Sequence, residues 1–233
     1  MKENKGYSIY TYVEAFLRIA RSKDHAYEDP VLYERLVSTL YKRQEVATDI
    51  GQLFLLHLPL KQDSQITILE EAAGTGIVAF SLARLGYKVI ATDIEVAALN
   101  RIKEKNTESL PILPINADIN KPLPLEANSV DGVTIVSASR YITNIDSFLS
   151  EACRVLKPDG VFIWPLPLIG SMLWKIRTGA KQPTSIDSLG KVLESKGFQV
   201  IGKDFISSAR RNFRAGVPFY AIPSYLIAKK LGS

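Results

Sequence analysis

The stretch Ile66-Thr67-Ile68-Leu69-Glu70-Glu71-Ala72-Ala73-Gly74-Thr75-Gly76 constrains this chain more than any other. A short apolar run ends in carboxylates and passes through a turn of small residues. It then opens into Ile77-Val78-Ala79-Phe80-Ser81-Leu82-Ala83 at helical spacing. The pattern predicts strand, tight loop and helix, with the loop stripped of bulk so that a ligand can lie against its backbone. Tyr87 to Asp93 reads as the next strand, closing on an acid that can take both hydroxyls of a ribose. Loop and acid together read as the start of a nucleoside-cofactor site.

Two cofactors compete for such a loop. Gly74-Thr75-Gly76-Ile77-Val78-Ala79 can be written G-x-G-x-x-A, a form of the dinucleotide fingerprint. That loop normally brings its first glycine directly off the strand, so that pyrophosphate meets the helix N-terminus. Here Glu70, Glu71, Ala72 and Ala73 intervene. Two carboxylates beside a pyrophosphate repel it by about 1 kcal/mol per close pair even when solvated. A cofactor carrying a sulfonium and an ammonium is attracted instead. The electrostatics favour S-adenosylmethionine over NAD.

The same residues resemble the class I S-adenosylmethionine-dependent methyltransferases, near the small-molecule and quinone-type branch. The resemblance runs from about Ile66 to Trp164. Leu69 to Gly76 is similar to the family's first motif, with Glu70 for the commoner aspartate and Ala72 where the first glycine usually stands. Asp93 matches the ribose acid, and Asn116-Ala117-Asp118-Ile119 the motif whose Asp accepts from the adenine amino group. Ser129 to Val136 resembles the fourth strand, and Cys153-Arg154-Val155-Leu156-Lys157-Pro158-Asp159-Gly160 the helix-to-strand turn. The resemblance implies a cofactor set of Glu70, Ala72, Gly74, Thr75, Gly76, Asp93, Ile94, Asp118, Ile119 and Ser137. It also puts Arg140 and Tyr141, after the fourth strand, between cofactor and acceptor, and gives Tyr27 a place to close over the pocket.

Strands are expected near 66–70, 88–92, 112–115, 131–136, 160–164, 198–205 and 219–228. Helices fall near 76–85, 94–106, 145–155 and 185–196. Strand alternating with helix predicts an α/β fold with a doubly wound, Rossmann-like, mostly parallel sheet of seven strands. Ligands of such sheets sit at the carboxyl ends, where Glu70, Asp93, Asp118 and Ser137 all fall. Residues 1–60 read as an N-terminal helical cap, with helices at 7–20 and 31–56. Residues 61–233 read as the methyltransferase domain, in one globular unit. Pro165 to Pro183 is long and apolar, with Lys175, Arg177 and Lys181 interleaved, which suits a buried helix, a substrate lid or a membrane-touching element.

With 233 residues and 46% hydrophobic side chains, the chain can bury a full core. No run of 18 apolar residues is present, and Met1-Lys2-Glu3-Asn4-Lys5 lacks the apolar stretch of a signal peptide. Cys153 is the sole cysteine, so no internal disulfide can form. The expectation is a cytoplasmic protein with peripheral membrane contact at most. The net charge of +5 is uneven: residues 175–230 hold eleven basic and three acidic side chains, and the remainder is net acidic. A basic face steers acidic substrates or anionic surfaces, although a solvated lysine-rich face is the plainer reading, and nucleic acid is not expected as a partner.

No catalytic motif is legible. His57 reads as a helix-end residue, His25 lies in a polar break, and neither has a metal-ligand partner at useful spacing, so no metal is expected. Ser137-Ala138-Ser139-Arg140 occupies the place of the Asn-Pro-Pro-aromatic tetrad of methylases acting on adenine or protein amides. A small-molecule or lipid-like acceptor, methylated on oxygen or carbon, is therefore expected. A non-catalytic cofactor-binding or scaffold protein and an NAD-dependent oxidoreductase remain the alternatives.

Overall fold

The computed structural model describes residues 43–58, 65–167, 186–204 and 223–232. The helix expected at 7–20, Tyr27, His25 and the segment 168–183 lie outside the described residues. So does most of the expected N-terminal cap, of which one helix, α1 (Arg43–His57), is described.

Seven strands form one sheet in the order β3-β2-β1-β4-β5-β7-β6. They are β1 (Thr67–Glu71), β2 (Lys88–Asp93), β3 (Ile112–Asn116), β4 (Val130–Ile135), β5 (Leu156–Pro167), β6 (Phe198–Asp204) and β7 (Pro223–Lys230). The helices between them are α2 (Ile77–Arg84), α3 (Val96–Lys105), α4 (Ile145–Val155) and α5 (Ile186–Ser195). Strands β1 to β5 pair in parallel. Strand β7 alone is reversed, running antiparallel to both β5 and β6. The expected α/β, Rossmann-like sheet is present.

Each face of the sheet is buried under its own helices, as crossover connections require. On one face α1 contributes Val46, Ala47, Ile50, Leu53 and Phe54, packed with Ile68, Val89, Ile163 and residues of α2. On the other, α4 sets Phe148, Leu149, Ala152 and Val155 at helical spacing against Phe162 and Trp164. Asn144 starts α4 by accepting a 3.1 Å hydrogen bond from the Ser147 amide, a side-chain N-cap. Gly132 on β4 is required by this packing. A Cβ there would lie 2.6 Å from both Ile68 Cδ1 and Phe54 Cε1.

Strand β5 departs from expectation at both ends. It starts at Leu156, directly after α4, so the expected turn is divided, with residues 153–155 closing α4 and 156–160 lying inside the strand around a bulge. Val130 pairs with Leu156 and Gly132 with Val161, so the residues between them loop out, with Asp159 at φ 64°. Asp131 fixes this bulge, because its carboxylate accepts from Lys157 Nζ at 2.8 Å and from the Thr67 amide at 2.9 Å. At its far end β5 continues to Pro167, beyond the expected residue 164, in register with β7. Strand β4 has already ended there, so the missing N–H groups of Pro165 and Pro167 cost no bond to it.

Candidate functional site

Strand β1 lies between β2 and β4. From this point the chain winds outward in both directions, which opens a crevice at the carboxyl ends of β1 and β4. The small-residue loop sits at its mouth. Three of its residues have left-handed backbones: Ala72 at φ 52°, Gly74 at φ 56° and Gly76 at φ 81°. Gly76 is also held close to α3, since a Cβ would lie 2.9 Å from Ile102 Cγ1. The alanine that replaces glycine in the first motif thus occupies a position where glycine carries no penalty.

Asp93 pins this loop. One carboxylate oxygen accepts a 2.7 Å hydrogen bond from the Gly74 amide, the other a 2.9 Å bond from the Glu95 amide. The acid expected to hold a ribose also fastens the glycine loop to the turn after β2. A carboxylate offers about four lone-pair sites, so both duties are compatible. Lys105 braces the loop from outside, donating to the Thr75 carbonyl at 3.2 Å with its Nζ 5.2 Å from the Phe80 ring centre.

Asparagines join the remaining loops, a role sequence reading missed. Asn116, at the end of β3, donates from Nδ2 to the carbonyls of Asp93 and Ile94 at 3.0 and 2.8 Å. Asn120 donates to the Tyr141 carbonyl at 3.0 Å and accepts from the Thr143 amide at 2.8 Å, tying the loop after β3 to the loop after β4. Asp118 caps its own turn, accepting from the Asn120 amide at 2.9 Å. The signal in the sequence was that each asparagine sits within two residues of the Asp118 motif.

The carboxyl ends therefore carry Glu70, Ala72, Gly74, Thr75, Gly76, Asp93, Ile94, Asp118, Ile119 and Ser137 on neighbouring strand ends and loops. Glu70 is buried, whereas Ile94 is 60% exposed at the rim. Ser137 is exposed, with φ 58°. Tyr141 and Arg140 fall in a short 3₁₀ turn, Ser139–Tyr141, on the same side. Ser139 is structural, its hydroxyl accepting from Trp164 Nε1 at 3.1 Å in the core. His57 is the last residue of α1, as expected of a helix end, and partial burial lowers its pKa.

Neighbouring acids face opposite sides of the sheet, as strand alternation dictates. Glu70 pairs across to Thr134 on the α1 face. Thr134 is fully buried, and its hydroxyl has no hydrogen-bond partner among the described residues. Glu71 faces the α4 side, 2% exposed, with Oε1 unpartnered among the described residues. Burial pushes the Glu71 carboxyl up to about 8, and the Glu151 carboxylate adds to the shift. Glu151 is itself held below its usual value, chiefly by hydrogen bonds from Arg154 at 2.7 and 2.8 Å. Among the described residues no group of acids, histidines and cysteines could hold a metal ion.

A family model described as a methyltransferase domain matches residues 69–164. The ubiquinone/menaquinone biosynthesis C-methyltransferase UbiE of Brucella canis is 37% identical over 105 residues, which cover 42% of this chain and 38% of the relative. The chain thus spans about two-fifths of the length of the curated relatives it matches. Among solved structures, the CurJ carbon methyltransferase superposes with a TM-score of 0.68 at 15% identity, over 95% of this chain and 67% of that one. A SAM-dependent methyltransferase from Aquifex aeolicus gives 0.61 at 21% identity, over 87% and 99%. These two establish likeness of fold. The match over residues 69–164 identifies that part of the chain as similar to a methyltransferase domain.

Proposed function

We propose that this protein transfers a methyl group from S-adenosylmethionine to carbon or oxygen of a small hydroxylated-ring or lipid-like acceptor. The observation that carries the reading is the left-handed loop from Ala72 to Gly76, clamped by Asp93 at the switch point of the sheet. Its fit to the cofactor is supported by charge as well as shape. Buried Glu70 suits a cationic amino-acid end, and the orphaned Thr134 hydroxyl beside it lacks a partner that a bound ligand would supply. Asp93 would take the ribose hydroxyls, Asp118 and the Ile119 amide the adenine edge, and Ile94 and Ser137 would flank it. When bound, the cofactor supplies an electrophilic methyl on a sulfonium.

The chain's own part is then to position an acceptor near 3 Å from that methyl, shield it from water, and receive a proton. The quinone-pathway name of the Brucella canis relative supports a ring acceptor. Arg140, Tyr141 and Tyr27 are proposed to contact it. Among the described residues no helix is long and apolar enough to cross a membrane, so a lipid-like acceptor would be met at a membrane surface. A cytoplasmic location, a helical cap at residues 1–60 and a domain at 61–233 belong to the same proposal.

Titration calorimetry with S-adenosylmethionine and NAD in parallel tests the cofactor, with micromolar binding of the first alone expected. Incubation with methyl-labelled cofactor and a panel of hydroquinones, catechols and their prenylated forms tests the reaction. Label recovered in an organic product supports the proposal. Tight cofactor binding with no product across the panel points to a non-catalytic binding protein.

A further inference from the structure

The loops after β3 and β4 meet through one exposed side chain whose hydrogen-bonding capacity is fully used. Asn120 donates from Nδ2 to the Tyr141 carbonyl at 3.0 Å and to Asp118 Oδ1 at 3.3 Å. Its Oδ1 accepts from the Thr143 amide at 2.8 Å and from the Thr143 hydroxyl at 2.9 Å. A side-chain amide offers two donors and two lone pairs, so all four are taken. The backbone partners also fix which way the amide faces, since the Thr143 N–H can only donate and the Tyr141 carbonyl can only accept. Water would satisfy an exposed asparagine nearly as well, so stability alone does not account for the bridge.

The two ends of the bridge belong to different halves of the site. Asp118 is the acid proposed to meet the adenine amino group, and its Oδ1 also accepts from the Asn120 amide at 2.9 Å. Its Oδ2 faces the Lys121 ammonium at 3.7 Å, an exposed pair of little weight, which leaves this oxygen to the adenine. Behind Asp118 the segment is anchored, because Asn116 holds the carbonyls of Asp93 and Ile94. At the far end of the bridge stands the 3₁₀ turn Ser139–Tyr141, whose residues Arg140 and Tyr141 are proposed to meet the acceptor. A bound adenine covers Asp118 and keeps water from it, and a hydrogen bond strengthens where water is excluded. The bridge is then stronger with cofactor than without it, the difference that coupling between two sites requires.

Resting on the methyltransferase reading, we propose that Asn120 is a positioning residue that couples the cofactor half of the site to the acceptor half. Adenine seated on Asp118 fixes Asn120, and Asn120 fixes the outer edge of the turn that bears Arg140 and Tyr141. The acceptor subsite therefore holds its shape more tightly on cofactor-loaded protein. By linkage, a bound acceptor tightens the cofactor by the same factor. Asn120 acts through Asp118 and Tyr141 and is assigned no contact with the reacting atoms.

Hydrogen exchange of the full chain, free and with S-adenosylhomocysteine at concentrations that saturate each protein, tests the coupling. The informative amides are those of Tyr141 and Ile142, which donate to the Ala138 and Ser139 carbonyls at 2.9 and 3.2 Å and so report the turn itself. In the wild-type protein their exchange should slow about tenfold on binding, alongside the amides of the Ala72–Gly76 loop. Adenosine, which has no amino-acid end, should slow Tyr141 and Ile142 as well. In Asn120→Ala the loop amides should still slow, whereas Tyr141 and Ile142 should not respond. Asn120→Asp keeps an acceptor for Thr143 but loses both donors, and it should lose the response too. A static brace behaves differently: its removal speeds both amides equally with and without ligand and leaves the slowing intact. Slowing that persists in either variant, or that is missing from the saturated wild-type protein, overturns the coupling and leaves the methyltransferase reading standing. Calorimetry that detects no binding of S-adenosylhomocysteine to the wild-type protein overturns both.

Discussion

Replacing Glu71 by glutamine should make the protein more stable at neutral pH, and the gain should grow as pH rises. The folded carboxyl is pushed up to about 8 by burial and by Glu151, from an ordinary value of 4.5. Between those values the native state keeps a proton that the unfolded chain has lost, so wild-type stability falls with pH. The contribution is fully present below 4.5 and is lost as pH rises through 8. At pH 7, between those two values, the loss amounts to about 3 kcal/mol at 1.36 kcal/mol per pH unit. Carried to the end of the titration, it reaches roughly 5 kcal/mol.

Glutamine cannot ionise, so Glu71→Gln escapes this loss. Urea unfolding of both proteins at pH 5, 6, 7 and 8 measures it, and their difference cancels every other titrating group. The difference should be under about 1 kcal/mol at pH 5 and about 3 kcal/mol at pH 7. Glu71→Leu serves as a check that buries no polar atom, and it should show the same slope. A variant-minus-wild-type difference that stays flat with pH would refute the reasoning. It would mean that the carboxyl is solvated or paired in solution.

Gly132→Ala should destabilise by about 1–3 kcal/mol, because its methyl meets Ile68 and a ring edge of Phe54 that the core cannot release; denaturant titration checks this. Ala72→Gly should relieve about 1–2 kcal/mol of left-handed strain and return part of it as unfolded-chain entropy. A net gain near 0.5–1 kcal/mol in denaturant titration is expected, and a loss would contradict the backbone assignment. Asp93→Ala should weaken S-adenosylmethionine by about 1.5–3 kcal/mol in calorimetry. It should also lower the thermal midpoint, since the Gly74 and Glu95 amides lose their acceptor.

The fold was legible because its elements are locally consistent. Strands β1 to β4 are apolar runs of near-uniform length, and α2 and α4 follow them at helical spacing. Asp93 and the small-residue loop were found because geometry demands particular residue types there. What escaped reading depends on distant partners. Strand β5 runs past residue 164 only because β7 pairs with it, and its bulge is held by its own Lys157 reaching Asp131 on neighbouring β4. The double duty of Asp93, the bridges of Asn116 and Asn120, and the hydrogen bond from buried Tyr225 to Asp49 are all side-chain contacts across long sequence separations. No periodicity encodes them. Ala72 is the converse case, a departure visible in sequence whose meaning needed the backbone φ of the folded chain.

The insertion of β7 between β5 and β6 has a consequence for synthesis. Every residue proposed to hold the cofactor lies between positions 70 and 137, so that half of the site can assemble while the later chain is still emerging from the ribosome. Tyr225 arrives only with β7, which enters a slot between two strands already made. Until then β5 and β6 each present an open edge to any strand nearby. Assembly of the cofactor loops is thus separated in time from closure of the sheet, and the buried Tyr225–Asp49 hydrogen bond forms only when β7 docks.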